Sequence, residues 1–249
     1  MTFLIAAYIT LLGLALGSFF NVVALRIPAG QSLVSPPSRC GSCETRLRGR
    51  DLVPVLSWLT ARGKCRHCGV QVSWLYPAGE AAAGILFLWT YLRFGLTSEG
   101  MLGFLLCSLA VIVTISDLHS MVIPNKVLLF FLPLLAAGTF LATEHTWWSH
   151  VLGALLGGGV IFLLVLAGGM GMGDAKLFAL CGLVIGFPGV ILAFLTACFL
   201  GTAAGVTLML LGKVNRKQRI PFAPWLACGI LIAYGYGSQI IGGYLSLIG

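Results

Sequence analysis

The sequence predicts an all-α protein that crosses a membrane many times and carries one sizeable loop outside it. Two observations come from composition: hydrophobic residues make up 59% of the 249-residue chain and charged residues only 9%, and the mean hydropathy is +1.01. A soluble domain usually carries about 25% charged residues. A third observation is that apolar runs of about 20 residues recur, which is the length a helix needs to cross a bilayer. Because lipid offers no hydrogen bonds to the backbone, we expect these runs to be helices.

About eight apolar segments are predicted to span the membrane. Their bounds are 2–25, 77–94, 101–118, 126–143, 150–168, 175–187, 189–212 and 221–248. Charge favours dividing 175–212 at Pro188, because one crossing there would put the basic run at 213–219 outside. We expect 2–25 to be a retained first span rather than a cleaved signal peptide, since it has no basic residue before Arg26.

Basic residues gather on one predicted side of the membrane. The segment 26–76 carries eight Lys or Arg residues and only two acids, which predicts that it is cytoplasmic. Both termini then lie outside, while Lys126, Lys176 and the run at 213–219 fall inside. The tryptophan-containing stretch 143–150 falls at the outer interface, where aromatic residues are enriched. The net charge of +8 is therefore explained by topology and lipid contact, and we expect no nucleic-acid partner.

The predicted organisation has three parts. Residues 1–25 form the first transmembrane helix, residues 26–76 form a cytoplasmic loop domain, and residues 77–249 form a seven-helix membrane domain. The candidate chemistry falls in the second and third parts.

Two aspartates are predicted at the same depth, at the cytoplasmic ends of different spans. Asp117 closes the third span in "SDLHSMVIPN" (116–125), and Asp174 follows the fifth span in "GMGMGDAKL" (169–177). An ionisable group at this position is costly and usually functional. Two neighbouring carboxylates cannot both ionise cheaply, so such a pair shares one proton. The pair predicts aspartyl proteolysis, in which the ionised acid takes a proton from water and the protonated acid polarises a peptide carbonyl.

Two other interpretations of the aspartates stay open at this point. In the first, each aspartate pairs with a neighbouring lysine, Lys126 or Lys176, and anchors a helix end. In the second, the chain is a proton-coupled transporter, although transporter sites usually lie near the bilayer midplane. Under the proteolytic interpretation, Gly171 and Gly173 let a substrate backbone approach Asp174 and permit torsions that other residues avoid.

The loop 26–76 contains two C-x2-C pairs, CGSC at 40–43 and CRHC at 65–68. The candidate metal ligands are Cys40, Cys43, Cys65 and Cys68. Four thiolates in two such pairs suit tetrahedral coordination of Zn²⁺. Two disulfides are the alternative, but the reducing cytoplasm predicted for this loop favours metal. Because four-thiolate sites are usually structural, we expect zinc to fold the loop rather than to take part in a reaction.

Five segments together resemble the bacterial type IV prepilin peptidase family. They are GSFFNVVALRIP (17–28), PVLSWL (54–59), YPAGE (76–80), SDLHSMVIPN (116–125) and GMGMGDAKL (169–177). The resemblance implies a GxGD-type aspartyl endopeptidase of the bacterial inner (cytoplasmic) membrane, with Asp117 and Asp174 as the catalytic pair. It also implies the substrate, a pilin-like precursor whose short basic leader is cut at the cytoplasmic face, just before its hydrophobic helix.

The same resemblance implies a second activity, N-methylation of the new N-terminus with S-adenosylmethionine. In this family that activity is associated with the cysteine loop and its flanks. From the residues alone, Glu80 is an acid that complements the first-turn dipole of the second span. It also matches an acidic position of the family's methylation region, which makes it a candidate for methyl transfer. The sequence departs from the family at Gly41, where the first cysteine pair often encloses proline.

Overall fold

The computed structural model describes residues 2–142, 147–214 and 220–248, and across them the chain is all-helical. The helices are α1 (Thr2–Arg26), α2 (Leu56–Thr60), α3 (Leu75–Phe94), α4 (Ser98–Ser120), α5 (Asn125–Ala142), α6 (Trp147–Leu166), α7 (Met172–Leu210) and α8 (Ala223–Ile248). Within the described ranges, β pairing is limited to two isolated bridges in the loop between α1 and α3. The predicted all-α class is confirmed.

Six helices in the described part of the chain are long and apolar enough to cross a membrane: α1, α4, α5, α6, α7 and α8. The prediction of about eight spans is therefore wrong in its count. The predicted span 77–94 corresponds to α3, whose proline, tyrosines and Glu80 lower its apolar content. The predicted spans 175–187 and 189–212 correspond to one helical element, α7. The predicted tryptophan-containing stretch at 143–150 and the predicted basic run at 213–219 lie partly outside the described residues, at 143–146 and 215–219.

The helix α7 contains a reversal of direction at Gly186. This glycine has φ +70° and ψ 177°, which only glycine adopts readily, and Pro188 follows it. The rings of Phe178 and Phe194 lie 6.3 Å apart, whereas residues 16 positions apart in a straight helix are separated by about 24 Å. The two arms of α7, before and after Gly186, are therefore antiparallel neighbours. The predicted boundary at Pro188 coincides with this turn.

The chain divides into two compact units, Met1–Leu96 and Thr97–Gly249. In the first unit, α1 packs along α3 through small residues. A Cβ at Gly13 would lie 2.9 Å from the Ala83 carbonyl oxygen, and a Cβ at Gly17 would lie 2.8 Å from the Glu80 Cα. The four-residue spacing of these glycines is the small-xxx-small pattern that lets helix backbones approach closely in membranes.

In the second unit, α4 is the most buried of the apolar helices: 72% of the residues in its most apolar stretch are buried. It packs against α5 and α8, while α7 packs against α5, α6 and α8. Glycines again allow the closest approaches: a Cβ at Gly157 of α6 would lie 2.8 Å from the Phe178 carbonyl oxygen. This arrangement brings the C-terminal end of α4 and the N-terminal ends of α7 and α8 into one unit, and the predicted aspartates lie on those ends.

Candidate active site and metal site

Asp117 lies in the last turn of α4, which leads into a turn held by two hydrogen bonds. Met121 ends the helix in the left-handed conformation (φ 53°, ψ 35°), and its N–H donates to the Asp117 carbonyl at 2.9 Å. The buried Ser116 hydroxyl donates forward to the Val122 carbonyl at 2.6 Å. The motif "SDLHSMVIPN" is therefore a defined turn that fixes where Asp117 sits.

The Asp117 carboxylate is buried, with 7% of the residue exposed, and accepts hydrogen bonds from another helix. The Ala223 N–H donates to Asp117 Oδ2 at 3.0 Å, and the Phe222 N–H is a second donor. Ala223 is the first residue of α8, and an acid at a helix N-terminus is electrostatically favoured. Sequence reasoning missed Phe222 and Ala223, because a main-chain donor leaves no side-chain signal.

Asp174 is the third residue of α7 and caps that helix. Its Oδ2 accepts the N–H of Gly171 at 3.1 Å, and its own N–H donates back to the Gly171 carbonyl at 3.1 Å. This reciprocal arrangement is typical of an acid near the start of a helix. The side chain is half-buried, so Asp174 is held by its own loop and remains open on one side.

Gly173 serves close packing, and neither it nor Gly171 has an unusual torsion. Gly171 has φ −86° and ψ 149°, which any residue adopts, so the expected torsional role is not what this position requires. A Cβ at Gly173 would lie 2.8 Å from the Ile123 Cβ, closer than real contacts allow. Gly173 thus lets the loop of Asp174 pack directly on the turn that follows Asp117.

Among the described residues, neither aspartate is paired with a lysine. Lys176 donates instead to the Asn125 Oδ1 at 3.0 Å, which links the start of α7 to the start of α5. The lysine-pairing interpretation of the aspartates is not supported, and Lys176 joins the two loops that carry them.

The structure brings the two acids together. Gly173, next to Asp174, packs on Ile123 in the turn after Asp117, and Lys176 bonds to Asn125 at the end of that turn, so the two acids lie on loops in direct contact. Neighbouring carboxylates oppose simultaneous ionisation, and one shared proton relieves the repulsion. The arrangement supplies one group that accepts a proton and one that donates a proton, on two different helices.

The four loop cysteines converge on one point. Their sulfur atoms all lie within 4.8 Å of one another, and the sulfurs of Cys40 and Cys68 are 3.8 Å apart. A tetrahedral site with Zn–S bonds of about 2.3 Å has sulfur–sulfur edges of about 3.8 Å. None of these four cysteines forms a disulfide, so the disulfide alternative is not supported. The donor set fits Zn²⁺.

The two cysteine pairs sit in turns of the same construction, 25 residues apart. In the first turn the Cys40 N–H donates to the Thr45 carbonyl, and in the second the Cys65 N–H donates to the Val70 carbonyl. The bridges Arg39–Arg46 and Lys64–Gln71 close the two turns in the same way. A hydrogen bond with the Thr45 hydroxyl is the main cause that lowers the pKa of the Cys43 thiol to about 6. A lowered pKa favours the thiolate, which is the form that binds metal.

Glu80 holds the loop 26–76 to the helices of its unit. Its Oε2 accepts the Val55 N–H at 2.7 Å, and the Ser18 side chain is a second hydrogen-bond partner. Val55 has φ +61°, an uncommon conformation for a β-branched residue. Because α3 begins at Leu75, Glu80 lies in its second turn, so the expected first-turn dipole role is wrong. Glu80 is a buried carboxylate with no cationic partner among the described residues.

Comparison with known families gave two matches. A model of the bacterial peptidase A24 N-terminal domain matches residues 11–94, and a model of the type IV leader peptidase family matches residues 104–206. The first match lies within the unit that holds the cysteine cluster. The second covers both aspartates but ends before Phe222 and Ala223.

Several curated proteins resemble almost the whole chain, and each of the following is named prepilin leader peptidase/N-methyltransferase. The protein of Bacillus subtilis (strain 168) is 40% identical, with 94% of this chain and 96% of the relative aligned. That of Dickeya chrysanthemi is 33% identical over 94% and 93% of the two chains. That of Stutzerimonas stutzeri is 31% identical over 94% and 91%. No solved structure matched the chain.

Proposed function

The chain belongs to the type IV leader peptidase family, and from that membership we propose that it is a prepilin peptidase that cuts by aspartyl catalysis. The observation that supports the mechanism is that the loops of Asp117 and Asp174 pack on each other, through Gly173 on Ile123 and Lys176 on Asn125, and that neither acid has a lysine partner among the described residues. Both acids lie at helix ends rather than in mid-helix, which is unlike the midplane site of a transporter.

The reaction uses the shared proton of the pair. The ionised aspartate takes a proton from a water molecule, and the water oxygen attacks the peptide carbonyl carbon while the protonated aspartate donates to the carbonyl oxygen. The tetrahedral intermediate then collapses. The peptide nitrogen receives a proton from the acid that took it from water, and one hydroxyl of the intermediate returns its proton to the other aspartate. The C–N bond breaks, and the leader leaves with a new carboxyl group.

The proposed substrate is a pilin-like precursor with a short basic leader followed by an apolar helix. A substrate helix in the bilayer presents its end at the depth of acids that sit at helix termini. The excess of Lys and Arg over acids in 26–76 supports a cytoplasmic position for that loop, and we propose the same side for the active site, as the resemblance to the family implies. The chain would then be a multi-pass protein of the bacterial cytoplasmic membrane.

A precursor added to membrane vesicles tests this function. In inverted vesicles, which expose the cytoplasmic face, we expect the precursor to be cut once, immediately before its apolar segment. Sealed right-side-out vesicles should leave it intact. Mass measurement of both products gives the cut position. Cutting within the apolar segment, or equal cutting from either side, would contradict the proposal.

Gly173→Ala should lower the cutting rate about 10- to 100-fold, because the new Cβ would displace Ile123 and shift Asp174 relative to Asp117. The matched control is Gly169→Ala in the same loop, where the nearest atom is the Leu164 carbonyl oxygen at 3.5 Å, an ordinary contact. The rate should be measured on purified protein with a precursor peptide. Equal rates for the two variants would show that the close packing of Gly173 does not matter.

N-methylation of the cut product is the second proposed activity, and it is supported by the names of the relatives. Its methyl donor, S-adenosylmethionine, supplies an electrophilic methyl group and carries positive charge. S-adenosylmethionine fits Glu80 in its charge. A buried carboxylate without a cation is costly, and a cationic ligand would offset the cost of burying Glu80. Glu80 would therefore hold the donor by charge while its hydrogen bonds keep the loop in place.

Glu80→Gln separates these two roles of Glu80. Glutamine keeps an oxygen that accepts the Val55 N–H but removes the charge, so we expect cleavage within about two-fold of the wild type and product without the methyl group. The mass of the new N-terminus reports both results in one measurement. Full methylation by this variant would limit Glu80 to its structural bonds, and loss of bound zinc would show that the loop itself had been disturbed.

A further inference from the structure

The buried carboxylate of Asp117 is held by main-chain donors from a segment that is 106 residues away in the sequence. The Ala223 N–H reaches Asp117 Oδ2 at 3.0 Å in a buried bond, and the Phe222 N–H is the second donor. Ala223 is itself fully buried. This contact ties the α8 N-terminus to one acid of the proposed catalytic pair.

The two acids differ in how they are held. Asp174 accepts an exposed bond from Gly171, three residues earlier in its own loop, where water competes for the same positions. Asp117 accepts one bond from Ala223, the first residue of α8, and one from Phe222, the residue before that helix, and the Ala223 bond is buried. Burial disfavours the ionised form of both carboxylates, and a hydrogen bond from a buried N–H offsets that cost more strongly than an exposed one.

We infer that the α8 N-terminus is a positioning element that keeps Asp117 ionised and oriented, so that Asp117 takes the proton from water and Asp174 carries the proton for the peptide carbonyl. This inference rests on the proposed peptidase function and assigns the two roles within it. The first-turn dipole of α8 acts in the same direction as the two N–H groups.

The segment around Ala223 is built to present these two amides. Pro221 and Pro224 flank the pair and have fixed φ angles and no N–H of their own, so Phe222 and Ala223 are the donors between them. The Phe222 carbonyl accepts from the Trp225 N–H at 3.0 Å, which closes the first turn of α8. The donors are therefore fixed before a substrate arrives.

The test removes the Ala223 N–H and leaves the side chain unchanged. Replacing Ala223 by lactic acid, introduced by nonsense suppression, converts the amide to an ester, which deletes the donor and weakens the Phe222 carbonyl as an acceptor. We expect kcat for precursor cleavage to fall about tenfold or more, because a bond to a charged group is lost, while KM stays within about two-fold. The melting temperature should stay close to that of the control described next.

The matched control is the same ester replacement at Ala227, one turn further into α8, where the N–H bonds along the helix. It weakens the helix at least as much, because it also removes a bond within α8, but it leaves the Asp117 donors intact, so its kcat should stay within about two-fold of the wild type. An equal fall in kcat at both positions would overturn the inference, and so would no fall at Ala223. Failure of the wild type to cut would instead overturn the proposed function, so the two failures are distinguishable.

Discussion

Asp117→Asn and Asp174→Asn should each abolish precursor cleavage while the protein remains folded in the membrane. Each change removes one of the two proton-transfer steps, which are worth about 10²- to 10⁴-fold in rate for a positioned acid or base. Asparagine has nearly the same shape and keeps an oxygen that accepts the Ala223 N–H or the Gly171 N–H. We therefore expect unchanged melting temperatures and an accumulation of uncut precursor.

Glu99→Gln is the matched control for the aspartate variants. Glu99 is an exposed acid in the first turn of α4, the helix that carries Asp117 near its other end. The same acid-to-amide change there should leave cleavage within about two-fold. Because the two aspartates act as one unit, the double variant should cut no more slowly than either single variant. Normal processing by both single variants would exclude the aspartyl mechanism.

The sequence predicted the chemistry of the aspartate pair but not its supports. Acids are rare in membrane segments because each charge there is costly, so two acids at the ends of apolar spans indicate a functional site from the sequence alone. Gly173 was singled out for substrate approach, whereas it packs on Ile123. The donors Phe222 and Ala223 were missed altogether, since every residue except proline has an N–H and only the fold selects which ones matter.

Three of the sequence segments behind the family resemblance meet in the first unit, which explains why they were informative together. Gly17 of α1 packs on Glu80 of α3, the Asn21 amide donates to the Tyr76 carbonyl at 3.0 Å, and Val55 donates to Glu80. No spacing rule predicts these partners, because they are far apart in the chain. Of the long-range contacts in this unit, the sequence predicted only the contact between the two cysteine pairs, because four cysteines in that pattern can bind one metal ion.

The membrane spans were predicted from the length of apolar runs. That signal fails where a helix changes direction or contains polar residues that bind other parts of the structure. The chain reverses at Gly186 within an apolar stretch of 39 residues, so a turn and a continuous helix have the same composition there. In α3, Glu80 binds the loop and lowers the hydropathy of the helix. The start of that helix was predicted to within two residues. Counting spans needs the contacts between helices as well as the apolar runs.

Cys40→Ser should remove bound zinc from the protein and unfold the loop around it. The wild type is expected to hold one Zn²⁺ per chain, and the variant less than about a tenth of that, because a serine hydroxyl is a poor replacement for a buried thiolate. In zinc-finger peptides such binding supplies about 10 kcal/mol or more of folding free energy. Other contacts of the loop between α1 and α3, such as the bond from the Trp58 indole to the Val72 carbonyl, are single hydrogen bonds and ion pairs rather than a shared centre.

The zinc prediction is checked by metal analysis of purified protein together with limited trypsin digestion. The loop carries many Lys and Arg residues, so its unfolding should expose sites that trypsin cuts at least about tenfold faster than in the wild type. Cys228→Ser, an exposed cysteine of α8 far outside the cluster in sequence, is the matched control and should keep both its zinc and its protection. A chelator added to the wild type should reproduce the digestion pattern of Cys40→Ser. Full zinc content in Cys40→Ser would exclude the four-thiolate site, and a metal-free wild type with the same trypsin protection would show that other contacts fold the loop.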